Sequence, residues 1–312
     1  MDSSSVAASG GSAEVEANAR LDNLSNKSHK GFLERAQEDV LNVKVRARKS
    51  LAWAKAHVLV DQNGELLCDQ DGNVLTLGDM SRSWYSQKGA KNNTKSVARR
   101  LFRAADYPAD FLKLLPKFIT LTFRDIEESW QAERAIQKLM NALRTWASRR
   151  GFEIAYFWVA EVQQRGALHY HILVLGCPYL PKSLLQSWWP YGFVEIRRAG
   201  DIVGGLRYLA KYLWKSCKLV GESFEDLPLW WFLFSVFRKR RYGFSKYFTL
   251  PPIERVPRWL RDFLVEREAG DMLTMAKRVA GGGWLIALRF PDKIVRLLVP
   301  CPYRVVERVS CS

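Results

Sequence analysis

Two histidines one residue apart, His169 and His171, and two tyrosines four apart, Tyr208 and Tyr212, are the residues of this chain best placed to do chemistry. Side chains of a strand alternate faces, so residues i and i+2 share one. The apolar run from Ala167 to Leu175 reads as such a strand, with both histidines on one face and Tyr170 on the other. A second apolar run, Ile154 to Val162, lies upstream, and Gln163-Gln164-Arg165-Gly166 separates the two. A three-residue hairpin loop over Gln164-Arg165-Gly166, with glycine in the left-handed position, pairs Gln163 with Ala167 and sets Glu161 opposite His169. Opposed residues of an antiparallel pair stand on one face with Cβ atoms roughly 5 Å apart. Glu161, His169 and His171 therefore converge as a two-histidine, one-carboxylate set. The chain has only 4 histidines, and half of them fall in this tripeptide. Mixed imidazole and carboxylate ligation suits several divalent ions. Mg²⁺ prefers oxygen shells with bound water, so the expected occupant is Mn²⁺ or Mg²⁺ completed by water and phosphate oxygens. Ligand types alone leave zinc open. The competing reading is a histidine pair satisfied by hydrogen bonds on an ordinary strand.

The tyrosines belong to a helix. From Ile202 to Lys218, apolar residues recur at Val203, Leu206, Leu209, Ala210 and Leu213, and Asp201 is placed to cap the first turn. Tyr208 and Tyr212 then lie one turn apart on one face. Lys211 and Lys215 each follow a tyrosine by three residues and share an adjacent face. A free tyrosine has a pKa of about 10 and is a weak nucleophile at neutral pH. A nearby metal or a lysine ammonium stabilises the phenolate and the charge that develops on phosphorus. The alternative is an amphipathic helix with both tyrosines in the core; the histidine strand upstream favours the nucleophilic reading.

Three signatures together resemble the HUH endonucleases, specifically rolling-circle replication initiators of plasmids and single-stranded DNA phages. Phe118-Ile-Thr-Leu-Thr-Phe123 looks like the first motif of that family, Glu161 with His169-Tyr170-His171 like its metal motif, and Tyr208-Leu-Ala-Lys-Tyr212 like its nucleophile motif, with Lys211 in the YxxK position. The tandem spacing is similar to the two-tyrosine group that includes isometric phage gene A proteins. The match covers roughly residues 115 to 250. The resemblance implies that Glu161, His169 and His171 hold a metal that polarises the scissile phosphate, with Lys211 and Lys215 beside the nucleophiles. It implies attack by Tyr208 or Tyr212, a link to the 5′ phosphate, and a free 3′ hydroxyl that primes synthesis. The second tyrosine would cleave the regenerated site, and strand transfer would close a circle. The first YxxK match favours Tyr208. The implied partner is single-stranded DNA at a replication origin. No GxxxxGK phosphate loop occurs in the sequence, so a host helicase is expected to unwind the duplex and a host polymerase to extend the primer. Two alternatives stand beside this. One is a two-tyrosine transposase of the same superfamily, although the cysteine-rich zinc module common there has no counterpart in the spacing here. The other is a non-catalytic DNA-binding protein on the same scaffold. A conjugative relaxase fits less well, because its metal site typically has three histidines.

Composition agrees with a polyanionic partner: the net charge is +16 and the pI near 9.7. The longest apolar run, Leu229 to Phe237, has 9 residues including Ser235, well short of the roughly 18 that suggest a membrane span. The N-terminus shows no apolar signal segment. Five cysteines without CxxC pairing suit a reducing cytoplasm.

Four regions follow from the pattern. Residues 1–30, rich in Ser, Ala, Gly and Asn, read as a disordered tail. Residues 31–110 hold a helix over 31–56, a β-meander from His57 to Leu77 with turns at Asn63-Gly64 and Asp71-Gly72, and a basic segment from Arg82 to Arg103. There Lys88, Lys91, Lys95 and Arg99 recur at helical intervals, with Asn92-Asn93 as a candidate break, and suit contact with a DNA backbone. A solvated helix face is the competing reading. Residues 111–250 form the endonuclease-like core: strand 117–123, helix 126–149, strand 153–162, strand 167–175, helix 181–189, strand 193–197, helix 202–218. This β-α-β-β-α-β order predicts an α+β, ferredoxin-like core with a central antiparallel sheet and terminal extensions, in which the first strand lies beside the histidine strand. Leu229 to Phe237 then reads as a buried core helix. Arg238, Lys239, Arg240, Arg241 and Lys246, set among aromatics, suit single-strand contact. Residues 251–312 read as an extension with a helix over 255–268 and a strand pair over 284–299, without an assigned role.

Overall fold

The computed structural model describes residues 31–32, 34–102, 114–218, 224, 227–248, 252–279 and 283–307; the expected tail over 1–30 lies outside them. The helices are α1 (Gln37–Ala56), α2 (Leu77–Met80), α3 (Gln87–Phe102), α4 (Ile126–Gln131), α5 (Ala135–Ser148), α6 (Lys182–Trp188), α7 (Ile202–Lys218), α8 (Leu229–Val236), α9 (Pro252–Arg255) and α10 (Arg258–Val265). The strands are β1 (His57–Val60), β2 (Lys117–Phe123), β3 (Ala155–Val162), β4 (Leu168–Leu175), β5 (Gly192–Arg198), β6 (Tyr242–Phe244), β7 (Leu273–Arg278), β8 (Trp284–Arg289), β9 (Ile294–Val299) and β10 (Arg304–Glu307). They fall into two compact units, one built on Asp106–Tyr212 and Pro228–Gly243, the other on Arg46–Ala105 and Phe244–Ser312.

The first unit is organised by a five-stranded sheet in the order β5-β2-β4-β3-β6. β2 pairs antiparallel with both β4 and β5, and β3 pairs antiparallel with β4. The first and third strands of the β-α-β-β-α-β series are thus neighbours at the centre, flanked by the fourth and second. That is the ferredoxin-like α+β arrangement expected from the element order. A fifth strand, β6, lies beside β3, where the Ala160 N–H donates to the Arg241 carbonyl at 2.7 Å. β4 is buried along almost all its length, which accounts for its nearly continuous apolar sequence.

The β3–β4 hairpin takes the register read from its loop. The Gln163 N–H donates to the Ala167 carbonyl at 2.9 Å, Gly166 has φ 96°, and Glu161 faces His169. A residue with φ in this region favours glycine because it lacks a Cβ. The expected helix over 126–149 is instead two helices, broken where Arg134 adopts φ 52°. No glycine or proline marks the break. Its cause is tertiary: buried Trp130 donates to the Gly166 carbonyl at 2.9 Å, and the Ser129 hydroxyl accepts from the Leu168 N–H at 3.1 Å. α4 is pinned to the hairpin, while α5 buries its own apolar stripe of Ile136, Leu139, Met140 and Leu143.

In the second unit, the meander over 57–77 forms around left-handed glycines Gly64 (φ 93°) and Gly72 (φ 80°), with bridges at Val58–Thr76, Val60–Leu66 and Cys68–Val74. The regular partner of β1 is β10, far along the chain. α3 runs unbroken through Asn92 and Asn93. Their side-chain amides donate to the carbonyls of Asp79, Ser81 and Arg82, so they tie down a loop rather than end the helix. The extension has two strands beyond the expected pair, β7 and β10: β7, β8 and β9 form a three-stranded sheet over a core with Leu260, Leu264, Leu273 and Ile286, and β10 pairs with β1. Among the described residues no helix is long and apolar enough to cross a membrane.

Candidate active site

Strand parity puts Phe118, Thr120 and Thr122 of β2, His169 and His171 of β4, Glu161 of β3, and Glu195 and Arg197 of β5 on one face of the sheet. Tyr170 points to the opposite face, where it packs edge-on against Trp158 and Trp189, and burial pushes its phenol well above the ordinary range. The middle residue of the histidine motif is therefore structural.

α7 brings the tyrosines to the histidine face. Asp201 caps it, accepting from the Gly204 N–H at 2.6 Å, and Leu206, Leu209, Ala210 and Leu213 are buried. Val203, expected on that stripe, is exposed instead. Gly205 permits close approach: a Cβ there would stand 2.9 Å from Leu173 Cδ1. Tyr208 packs edge-on to Phe118 at 4.5 Å between ring centres, and Tyr212 stacks on His171 at 3.5 Å. The Tyr212 hydroxyl donates to the Tyr208 oxygen at 2.9 Å. A cleft of about 450 Å³ opens here, lined among others by His169, His171, Glu195, Arg197, Tyr208 and Tyr212.

His171 Nε2 lies 2.9 Å from Glu161 Oε2, and its Nδ1 is buried without a hydrogen-bond partner. His169 Nδ1 is 3.2 Å from Thr122 Oγ1 and 3.0 Å from Gln163 Nε2. Gln163 in turn accepts from Arg165 Nε at 3.0 Å, and the Arg165 guanidinium donates to the carbonyls of Phe123 and Arg124. Burial, followed by the neighbouring His171, lowers the His169 pKa to about 4 against the pull of Glu161. His169 is therefore neutral at neutral pH, the state a metal-ligating imidazole requires. Thr122 is positioned to accept an Nδ1–H, the tautomer that leaves the Nε2 lone pair free. A Gln163 amide donating to Nδ1 selects the other tautomer. Burial, then the hydrogen bond with Tyr208, raises the Tyr212 phenol above its usual pKa, while Arg197 opposes this.

Among the described residues no three His, Cys, Asp or Glu side chains form a closed metal-binding group. The donor chemistry of Glu161, His169 and His171 nevertheless suits a divalent ion: Glu161 and His171 already meet, the two imidazoles lie 4.7 Å apart between ring centres, and His169 has hydrogen-bonding neighbours at the ring nitrogen a ligand leaves unused.

Lys211, expected beside the nucleophile, is exposed and does not line the cleft; Lys215 is exposed one turn further along α7. The cations that do line it are Arg197 and Arg198 of β5. Arg197 is held by Glu195 at 2.7 Å. Neither was singled out in the sequence, although the Glu195-Ile-Arg197 alternation on a strand was there to read. Gln163 and Arg165 counted only as turn residues.

The basic residues expected to touch DNA are divided between the units. In the second, Lys91, Lys95 and Arg99 are exposed on α3, and Lys88 there pairs with Asp79 at 2.5 Å; Lys246 is exposed as well. In the first, Arg238 and Arg240 are exposed. Lys239 donates to the Ala132 carbonyl at 2.6 Å, and burial lowers its pKa. Arg241 lies over the rings of Trp231 and Phe234 at 3.8 and 4.0 Å and donates to the Trp231 carbonyl. Arg241 thus packs on side chains of α8, whereas Lys239 reaches the junction of α4 and α5.

Residues 116–217 match a family model of replication-associated proteins, that of the ORF2 type. The matched span runs from β2 through the tyrosines of α7, about a third of the chain, and contains every residue of the carboxylate, histidine and tyrosine set. Over that span the protein is similar to replication-associated proteins. No curated protein and no solved structure matches the chain.

Proposed function

We propose that this protein initiates rolling-circle replication by nicking single-stranded DNA at an origin through a tyrosine, and that it rejoins the strand at termination. The observation that carries this reading is the stack of Tyr212 on His171, with the Tyr208 hydroxyl 2.9 Å from that of Tyr212. One phenol stacks on a histidine of the set, and the other is hydrogen-bonded to the first. The family similarity over the same span agrees with a role in replication.

Tyr208 is the first nucleophile in this reading, because it is 43% exposed and already receives a hydrogen bond from Tyr212. Its oxygen forms a bond to phosphorus as the bond to the 3′ oxygen breaks. The phenol loses its proton, the leaving oxygen gains one, and the phosphodiester is exchanged for a 5′-phosphotyrosine. Arg197, on the same face as the histidines, presents its guanidinium group to the phosphate oxygens. Glu161, His169 and His171 would hold Mn²⁺ or Mg²⁺, which when bound supplies Lewis-acid charge at the scissile phosphate. Tyr212 then serves as the second nucleophile. The exposed cations of α3 and of Arg238 and Arg240 bind backbone, and a host helicase and polymerase complete the cycle in the cytoplasm.

The test is incubation with labelled single-stranded DNA of the protein's own replicon, with Mn²⁺ and then with EDTA, on a denaturing gel. A metal-dependent nick with DNA bound covalently to protein is expected. Tyr208→Phe is expected to lower adduct yield at least tenfold, Tyr212→Phe less, and the double variant to abolish it. A folded, metal-loaded protein that binds this DNA and never forms an adduct is instead a DNA-binding module.

A further inference from the structure

A second cavity, of about 580 Å³, opens on the reverse face of the same sheet. Lys117 of β2 pairs with Arg198 of β5, and Ile119 with Ile196, so Lys117, Ile196 and Arg198 lie on the side away from His169 and His171. The cavity is lined by these three, by Lys182 at the start of α6, and by Tyr179 and Leu180 in the segment after β4, among others. It has three cations, an apolar floor and no carboxylate among its lining residues. Lys117 is held in place by donating to the Cys177 carbonyl at 2.5 Å. Tyr179 is 82% exposed, an unusual position for a large ring whose burial would be favourable.

Arg198 also lines the catalytic cleft, and β5 is an edge strand of the sheet. The two cavities therefore meet at one residue on an open edge, with the Arg197 side chain on the cleft face and that of Arg198 on the reverse. Cations beside an exposed ring form the combination that holds single strands: the charges track the backbone and the ring stacks on a base of any identity.

We propose that this groove holds the single strand flanking the scissile phosphate, which passes Arg198, rounds β5, and is gripped by Lys117 and Lys182 with a base stacked on Tyr179. The proposal rests on the cleft taking single-stranded DNA, but its test reads binding and not cleavage. Full-length protein is titrated into fluorescein-labelled oligo(dT) of short and long lengths, followed by anisotropy at several salt concentrations. The wild type is expected to bind the long oligomer more tightly than the short. Tyr179→Ala/Lys182→Ala is expected to lose about tenfold in affinity for the long oligomer. Its salt slope should fall by roughly 0.7, for one phosphate contact fewer. Tyr179→Phe is expected to retain wild-type affinity, because the ring remains. Both positions face solvent, so folding is not at issue. Equal affinity and equal salt slope for the double alanine variant and wild type would overturn the groove. Failure to form a covalent adduct in the nicking assay would instead overturn the catalytic reading and leave this measurement standing.

Discussion

Thr122 bears on which nitrogen of His169 is free. Its hydroxyl is the neighbour of Nδ1 whose acceptance leaves Nε2 for a ligand. Thr122→Val, close in size, is expected to weaken Mn²⁺ affinity by about 10- to 100-fold with little change in melting temperature. Isothermal titration of metal into the variant checks this without any DNA. The carboxylate and histidine set was legible because strand parity and one hairpin loop fix its register, both of which are local. Gln163, Arg165 and Arg197 were not, because their roles depend on which strand end faces which loop. The lysines of α7 illustrate the same limit: spacing put Lys211 three residues after Tyr208, but the cleft takes its cations from β5.

At the level of elements, α7 depends on Gly205. A Cβ there would stand 2.9 Å from Leu173 Cδ1, so a larger residue requires either the leucine side chain or the helix to shift. Gly205→Val is expected to destabilise the protein by about 1–3 kcal/mol. Displacing Tyr208 and Tyr212 by even an ångström should lower the nicking rate about 100-fold. Thermal melts and single-turnover nicking separate the two effects, and oligonucleotide binding should change only a few-fold. A rate that tracks stability alone would show the helix to be a passive scaffold. The order of core elements was readable because each strand and helix has its own period. The break between α4 and α5 was not, because Trp130 and Ser129 answer to a hairpin about 40 residues away. β7 and β10 carry too little alternation to stand out, since much of each is exposed.

For the whole molecule, charge is the readable quantity. A net charge of +16 is consistent with a backbone-driven, salt-sensitive association. Replacing Lys88, Lys91, Lys95 and Arg99 by alanine is expected to reduce the slope of log affinity against log salt by roughly 2–3 on single strands. The lower end is favoured because Lys88 is paired with Asp79. An unchanged slope would make that helix an ordinary solvated face. The pairing of β1 with β10 has a consequence in time. A ribosome adding about 5–20 residues per second reaches Arg304 some 10–50 s after it has finished Val60. Throughout that interval the nascent chain carries β1 without its regular partner, a length of apolar backbone open to proteases, to chaperones, and to a second nascent chain on the same message.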